Sequence, residues 1–359
     1  MANYISIQPN EFFKTQLYTG NAAANAQTLG FEPAFLWIKK YSNSASNYLF
    51  DSENTTYSTS SDDSAAPSDQ SGQGFTSLDS TGFTLSGTGG GGGVNDSGPN
   101  FASWSWRGGT TSGITTNGST TITPSAYSFS AAAGISILKF SGNSTSGAKL
   151  AHGLGVAPQF IMIKNLTDAG ESWNIGTEGI DDTSPWEYNL VLSEDEGRVQ
   201  YVNRWNDTAP DATNITLGNS SAVNGTGKTL MCYCFAPVRG LSHMGRYTGS
   251  GSATDSPFLY TGFKPSFIMI KRNNGVGPWM IYDIKRSGYN IINKYLQANA
   301  VSAEDYNEAN FGLEIYSNGF CPRSTSGATG PNQSGDAYNY LAFASEPLVS
   351  SNGNAATAR

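Results

Sequence analysis

One ten-residue pattern occurs three times in this chain, and that repetition limits the fold more than any other feature. It reads Gly30 Phe31 Glu32 Pro33 Ala34 Phe35 Leu36 Trp37 Ile38 Lys39, then Gly155 Val156 Ala157 Pro158 Gln159 Phe160 Ile161 Met162 Ile163 Lys164. The third copy is Gly262 Phe263 Lys264 Pro265 Ser266 Phe267 Ile268 Met269 Ile270 Lys271. A turn of Gly and Pro feeds a near-continuous apolar run, as in a central strand buried on both faces. The proline stands at the entrance, where its missing N–H costs no ladder bond. Each run ends in a lysine, expected to lay its stem on apolar surface and carry its charge to solvent.

Other elements recur around this strand. Upstream stand Tyr18 Thr19 Gly20 Asn21, Phe140 Ser141 Gly142 Asn143 and Tyr247 Thr248 Gly249 Ser250. Eighteen residues beyond each proline come Asp51, Gly176 and Asp283, each after an aromatic and aliphatic stretch, so copy two departs from the other two there. Later, Phe83 Thr84 Leu85 matches Ile215 Thr216 Leu217, and Gly319 Phe320 stands where Gly82 Phe83 does. Each copy closes with an Asn-x-x-Gly turn, Asn95 to Gly98, Asn224 to Gly227 and Asn332 to Gly335. These residue types tolerate the positive φ of a tight turn. An alternating strand follows, with Trp104 and Trp106, Tyr233 and Phe235, or Leu341 and Phe343 on one face and Ser105, Cys234 or Ala342 between them. Bulky residues inward and small ones outward imply another layer or copy close behind.

The strand and turn spacing, in a chain rich in Gly, Ser, Thr and Asn with only 13% charged residues, predicts an all-β protein. It is expected to be three tandem antiparallel β-sandwich repeats of the jelly-roll kind, with no helix. The expected division is a leader or anchor over 1–17, repeat 1 over 18–107, a Thr/Ser/Gly linker over 108–133, repeat 2 over 134–240, repeat 3 over 241–347 and a polar tail over 348–359. The linker makes repeat 1 the expected mobile unit, with repeats 2 and 3 a rigid pair through Pro237 to Gly240. The glycine tract from Gly89 to Gly93 reads as a flexible loop, without the strand-then-helix context of a phosphate cradle.

A formal net charge of −8 offers no basic face for nucleic acid or an anionic membrane. Three cysteines make no disulfide framework, and Cys232 and Cys234 are expected to be buried free thiols. The N-terminus carries neither a basic n-region nor an apolar h-region, which argues against a signal-peptide route.

Chemistry-bearing residues are sparse. A glycan-hydrolysing sandwich needs two or three carboxylates converging from one strand at short spacing, and no such array is present. Asp62 Asp63 and Glu194 Asp195 Glu196 read as solvated turns. His152 and His243 lack a nucleophile or metal-ligand partner at readable spacing. No catalytic residue and no resident metal are assigned. Calcium is the one cofactor carried forward, with Asp181, Asp182, Asp207 and Asp211 as candidate oxygen ligands that follow no recognised loop pattern. Trp104, Trp106, Trp173 and Trp279 fall on repeated strands and read as core. Trp186 and Trp205 fall in loops of copy two without evident counterparts, beside Glu187, Tyr188, Arg204, Asn206 and Asp207. A pyranose ring stacks its C–H face on an aromatic ring and hydrogen-bonds laterally. Trp186, Tyr188, Arg204, Trp205, Asn206 and Asp207 are therefore the expected contact set, for a glycan or for a neighbouring subunit.

The repeated strand, Trp279 to Asp283, Ser317 Asn318 Gly319 Phe320, and the closing Leu341 Ala342 Phe343 Ala344 before Glu346 Pro347 together resemble bacteriophage virion proteins common among marine phages. Those proteins carry tandem concanavalin A-like, or laminin G-like, sandwich units. The opening Ile7 Gln8 Pro9, Phe13 and Tyr18 Thr19 Gly20 resembles their start. The resemblance spans essentially the whole chain and implies a non-enzymatic structural protein on the virion surface, as a tail fibre or capsid decoration. It would contact other virion proteins, assemble as a symmetric homo-oligomer, with a trimer the natural guess, and engage host-surface glycans. So few residues precede the first repeat that a short appendage is favoured over a large fibre. A carbohydrate-binding module of a cell-surface adhesion system is the alternative reading, and a glycoside hydrolase the weakest.

Overall fold

A computed structural model describes residues 7–87, 93–324 and 329–347. Among these the protein is all-β, with three large antiparallel sheets that share one strand order. In the first, the order is Phe13–Thr19, Asn100–Trp106, Phe35–Lys40, Asn47–Asp51, Tyr57–Ser60 and Ser68–Asp69. The third repeats it as Ser242–Thr248, Ala337–Phe343, Phe267–Arg272, Trp279–Asp283, Lys294–Gln297 and Asp305–Tyr306. The second runs Ile135–Ser141, Thr229–Phe235, Phe160–Asn165, Asn174–Thr177, Tyr188–Val191 and Val199–Gln200, with Ala126–Ser130 added outside its first strand. Each repeated apolar run is thus a central strand, flanked on both sides.

A small sheet covers the outer face of each large one: Asn25–Thr28 with Gly82–Leu85 and Phe75–Asp79, Ala148–Ala151 with Asn214–Leu217, and Leu259–Tyr260 with Gly319–Pro322 and Leu313–Tyr316. Between each pair lies a separate core, built for example on Leu36 and Ile38, on Ile161 and Ile163, or on Ile268 and Ile270. The inner faces close on one another instead. Phe35 and Trp37, Phe160 and Met162, and Phe267 and Met269 belong to a single fourth core shared by all three units. A strand buried on both faces is required at each of these positions, and the repeated run supplies it.

This arrangement reverses one expectation about the closing strands. Their bulky residues, Trp104, Trp106, Tyr233, Phe235, Leu341 and Phe343, point away from their own sandwich and into the shared core. The small ones, with Cys234 and Ala342 as examples, face the sandwich interior. Cys232 and Cys234 are buried free thiols there, as expected.

Several boundaries move. Residues of the expected leader, from Phe13 onward, form the first strand and pair with Asn100–Trp106, because their alternation completes the sheet edge. The 108–133 segment is packed rather than free: Thr110 bridges Phe129, Ile122 bridges Leu150 and is 6% exposed, and Ala126–Ser130 pairs with Ile135–Ser141. Repeat 1 is therefore no mobile appendage, since its inner face is part of the shared core. Among the described residues α-helix is present as single turns at Val202–Trp205, Ser221–Asn224 and Glu308–Phe311, beside four short 3-10 turns, all too short to stand without packing. The glycine tract, save Gly93, and the 348–359 tail lie outside the described residues.

The repeated Asn-x-x-Gly turns work through a side chain. Gly98, Gly227 and Gly335 take positive φ, whereas the asparagines do not. Asn95, Asn224 and Asn332 are fully buried and pin neighbouring loops together. Asn224 donates to Thr145 O at 3.0 Å and Gly218 O at 2.8 Å, and Asn332 donates to Ser252 O and Ser324 O, both at 3.0 Å. Gly20, Gly142 and Gly249 pass so close to this turn that a Cβ would sit 2.1, 2.4 and 2.2 Å from backbone atoms, so no larger residue fits.

Candidate functional site

Trp186 and Trp205 come together, as the sequence suggested, but inside the protein. They are 4% and 0% exposed, meet edge to face with centroids 5.9 Å apart, and belong to the outer core of copy two. No sugar can stack on faces that are already covered, so the expected tryptophan platform is corrected to core packing.

Strand register explains their presence. Phe35 pairs with Asp51, Phe160 with Thr177 and Phe267 with Asp283. The hairpin after Lys164 is one residue longer than those after Lys39 and Lys271, so Thr177, not Gly176, occupies the aspartate position. Gly176 falls where copies one and three place Phe50 and Tyr282. A Cβ there would lie 2.7 Å from both indoles, so the missing ring is replaced by tryptophans arriving from the opposite side. Trp205 also has counterparts, hidden by weak similarity: Phe311 likewise ends a one-turn helix and stacks on Tyr295 at 4.1 Å, and Phe75 follows a 3-10 turn and stacks on Phe50 at 4.1 Å.

The rest of the expected contact set is dispersed. Tyr188 is half-buried under the Arg198 guanidinium, 4.9 Å from its ring centroid. Arg204 donates from Nε to Asn174 Oδ1 at 2.7 Å and from Nη1 to Ser220 Oγ, so its fork is engaged by its own unit, and burial lowers its pKa. Asn206 adopts φ 51° to cap the helix and accepts from Ser146 Oγ at 2.5 Å. Asp207, at φ 48°, is exposed; partial burial, then the charge of Glu187, raises its pKa. What reaches solvent around them is a patch missed in the sequence, Val199, Tyr201 and Val202, which are 43%, 41% and 57% exposed. The two-fold alternation of Val199 and Tyr201 in a polar loop was its only visible signal. Arg204 stacks over Tyr201 at 5.0 Å, and Gln200 and Glu187 are bonded at its margin at 2.8 Å.

Other chemistry-bearing residues are tied into the scaffold. His152 Nδ1 accepts from Leu154 N at 3.2 Å with Nε2 3.0 Å from Asp211 O, and His243 lies 2.9 Å from the Tyr340 hydroxyl. Of the calcium candidates, Asp181 pairs with Arg198 at 2.9 Å, Asp182 pairs with Arg246, and Asp211 caps the Thr213 and Asn214 amides, both at 2.7 Å. Among the described residues no three His, Cys, Asp or Glu side chains are placed to hold a metal ion. The shared aspartates are structural too. Asp283 Oδ2 accepts from Arg286 Nε at 2.6 Å, and Asp51 Oδ2 accepts from Tyr233 Oη of copy two at 2.7 Å. Burial pushes the Asp51 carboxyl up to about 6, against the lowering effect of that hydroxyl.

The repeated lysines are the largest departure. Lys39, Lys164 and Lys271 are fully buried, because each strand end is covered by the next unit. Each ammonium donates to its own hairpin and to a neighbouring unit: Lys39 to Ala45 O and Ala300 O, Lys164 to Glu171 O and Ser64 O, Lys271 to Gly277 O and Asp195 O. Burial lowers their pKa values to about 8, 8 and 7. The acidic turns read as solvated are thus partly interface: Asp62 lies next to the lysine end of copy one, and Asp195 supplies a carbonyl to copy three.

The fold and its surfaces define a triplicated all-β scaffold whose repeated polar residues hold units together and whose exposed apolar residues differ from copy to copy. A family model described as a domain of unknown function, DUF7483, matches residues 8–347, and the chain belongs to that family. No curated protein and no solved structure matches it. No helix among the described residues is long and apolar enough to cross a membrane.

Proposed function

We propose that this chain is a non-enzymatic structural protein of a bacteriophage particle, displayed on its surface as a short fibre or capsid decoration. The phage resemblance of its motifs supports this. The observation that carries it most directly is that the repeated polar residues, the three lysines above all, are spent on joining units rather than left in a cleft. In such a scaffold the repeated pattern serves assembly and the loops serve contact. Mass spectrometry of purified particles tests it: the chain is expected as a stoichiometric component, and its absence refutes the reading.

A glycan-contacting role is the second reading, favoured by the Tyr201 patch with its flanking Arg204, Gln200 and Glu187. The isolated protein on a glycan array is expected to lose its signal on Tyr201→Ala with an unchanged melting temperature. An array with no signal from the intact protein rejects it.

A further inference from the structure

The contacts between units run one way round. Lys39 of the first unit reaches the third at 3.0 Å, Lys164 of the second reaches the first at 3.3 Å, and Lys271 of the third reaches the second at 2.7 Å. Head-to-tail contacts that return to their start after three steps describe a closed ring of three units. The inner faces are taken up by the shared core, so each unit turns its small sheet outward. These outer sheets correspond in register and differ in chemistry. In copy three, Leu259, Leu313, Ile315 and Phe320 point into the core, which turns the residues alternating with them to the outside. Tyr260 and Tyr316 both pair with Gly319 and so stand in one row with the glycine between them. Phe258 lies two residues before Tyr260. Its ring is 5.7 Å from that of Tyr316 at 76°, and a Cβ on Gly319 would fall 2.8 Å from it. Phe258 and Tyr260 are 48% and 63% exposed.

The fold does not ask for these rings. Copy one pairs Thr28 and Asp79 with Gly82 in the same arrangement and has Ala26 where copy three has Phe258; copy two has Ala151 and Lys149 on its corresponding strand. Three aromatic side chains on an outer face, absent from two sister sheets, answer to something other than folding. Polar groups accompany them. Arg323 donates from Nε to Glu314 Oε2 at 2.6 Å and from Nη2 to Tyr316 Oη at 2.9 Å, while the Tyr316 phenol donates to Glu314. These bonds hold the Tyr316 ring in place and do not involve Glu314 Oε1. We propose that the outer sheet of copy three binds a neutral pyranose oligosaccharide, with Phe258, Tyr260 and Tyr316 stacking on sugar rings over Gly319 and the Glu314–Arg323 pair meeting their hydroxyls. A pyranose offers an apolar C–H face to an aromatic ring and hydroxyls at its rim, which this mixture of rings and polar groups matches. The exposed aromatic area is on the order of 200–300 Å², against about 800 Å² per side for a stable protein partner. Arg323 is already paired with a carboxylate, so it has no spare charge for an acidic sugar. Asn290 donates to Ile315 O at 2.8 Å and accepts from Ile315 N at 3.0 Å. That sets the exposed Tyr289 beside the same sheet, which favours a chain of several sugars over a single ring.

The proposal rests on the glycan-contacting reading above and adds a second face to it. A surface array reads both faces together, so the test uses soluble sugars and a signal from each face. Amide NMR spectra of the full chain, titrated with cellohexaose, maltohexaose and mannohexaose, are expected to shift at Tyr260, Tyr316 and Gly319 with at least one of them. Phe258→Ala with Tyr260→Thr, the residues that copy one already carries, should raise the Kd read from Tyr316 and Gly319 about tenfold at an unchanged melting temperature. Shifts confined to Val199, Tyr201 and Val202, or an unaltered Kd in the double variant, overturn this inference and leave the glycan reading intact. No shift at either face overturns both. Hexagalacturonate binding at this face more tightly than the neutral sugars overturns the choice of a neutral ligand.

Discussion

Phe50 and Gly176 stand at the same register position on equivalent strands, one bringing a ring into its outer core and the other nothing at all. Copy two fills the space with Trp186 and Trp205, delivered by loops from the other side. On the inner face of the central strands paired with them, by contrast, the equivalent residues keep their character: Phe35, Phe160 and Phe267, then Lys39, Lys164 and Lys271. An outer core is closed by one unit alone, so a lost ring can be compensated locally. An inner-face residue must match a neighbour as well, and that restricts it.

The sharpest way to break this comparison is in the outer core. Trp205→Ala is expected to cost about 3–5 kcal/mol in urea unfolding, because a fully buried ring leaves a cavity that a sheet cannot collapse into. Gly176→Phe alone should also destabilise, by roughly 1–3 kcal/mol, through overpacking against both indoles. Combined with Trp186→Ala it should cost less than the sum of the two, and strict additivity would show that the rings do not share one volume.

On the inner face the effects are smaller and depend on pH. Tyr233→Phe removes the hydroxyl that Asp51 accepts and should cost about 1–3 kcal/mol at pH 8. The folded carboxyl is pushed up to about 6, above its unfolded value, so the folded state holds the proton more tightly. Acidification from 7 toward 4 should therefore relieve the burial of charge, and the cost of the variant should shrink over the same range. The lysines act in the alkaline direction. Their folded values of about 7 to 8 lie below the unfolded value, so between pH 7 and roughly 10.5 the unfolded chain binds more protons and stability rises with pH. Lys271→Met should cost about 1–2 kcal/mol at pH 10 and less at pH 6, read from melting curves across that window. A cost that does not change with pH would deny the lysine its buried position. Tyr201→Ala should move stability by less than about 0.5 kcal/mol, since its ring is largely in water, which separates a contact residue from the tryptophans beneath it.

The strands were legible because their signals are local. Gly and Pro before an apolar run predicted central strands at Phe35, Phe160 and Phe267, and all three are central. The buried free cysteines followed from the same kind of reading. The candidate site was less legible. Trp186 and Trp205 looked like loop residues without counterparts because Phe75 and Phe311 differ in type and spacing. The extra hairpin residue after Lys164 shifted the count by one, so that Gly176 stood in for Thr177.

The amino-acid order by itself determined that this chain is a repeated all-β structure, with its central strands, tight turns and closing strands in place. Only the tertiary structure decided which face of each strand looks inward, because a run that is apolar on both sides has lost the two-residue period that would tell the faces apart. It alone decided that the lysines are buried, since their acceptors lie in another unit, at Ala300, Ser64 and Asp195, beyond the reach of any local pattern. The ring arises from those long-range contacts, and the sequence shows only the three parts from which it closes.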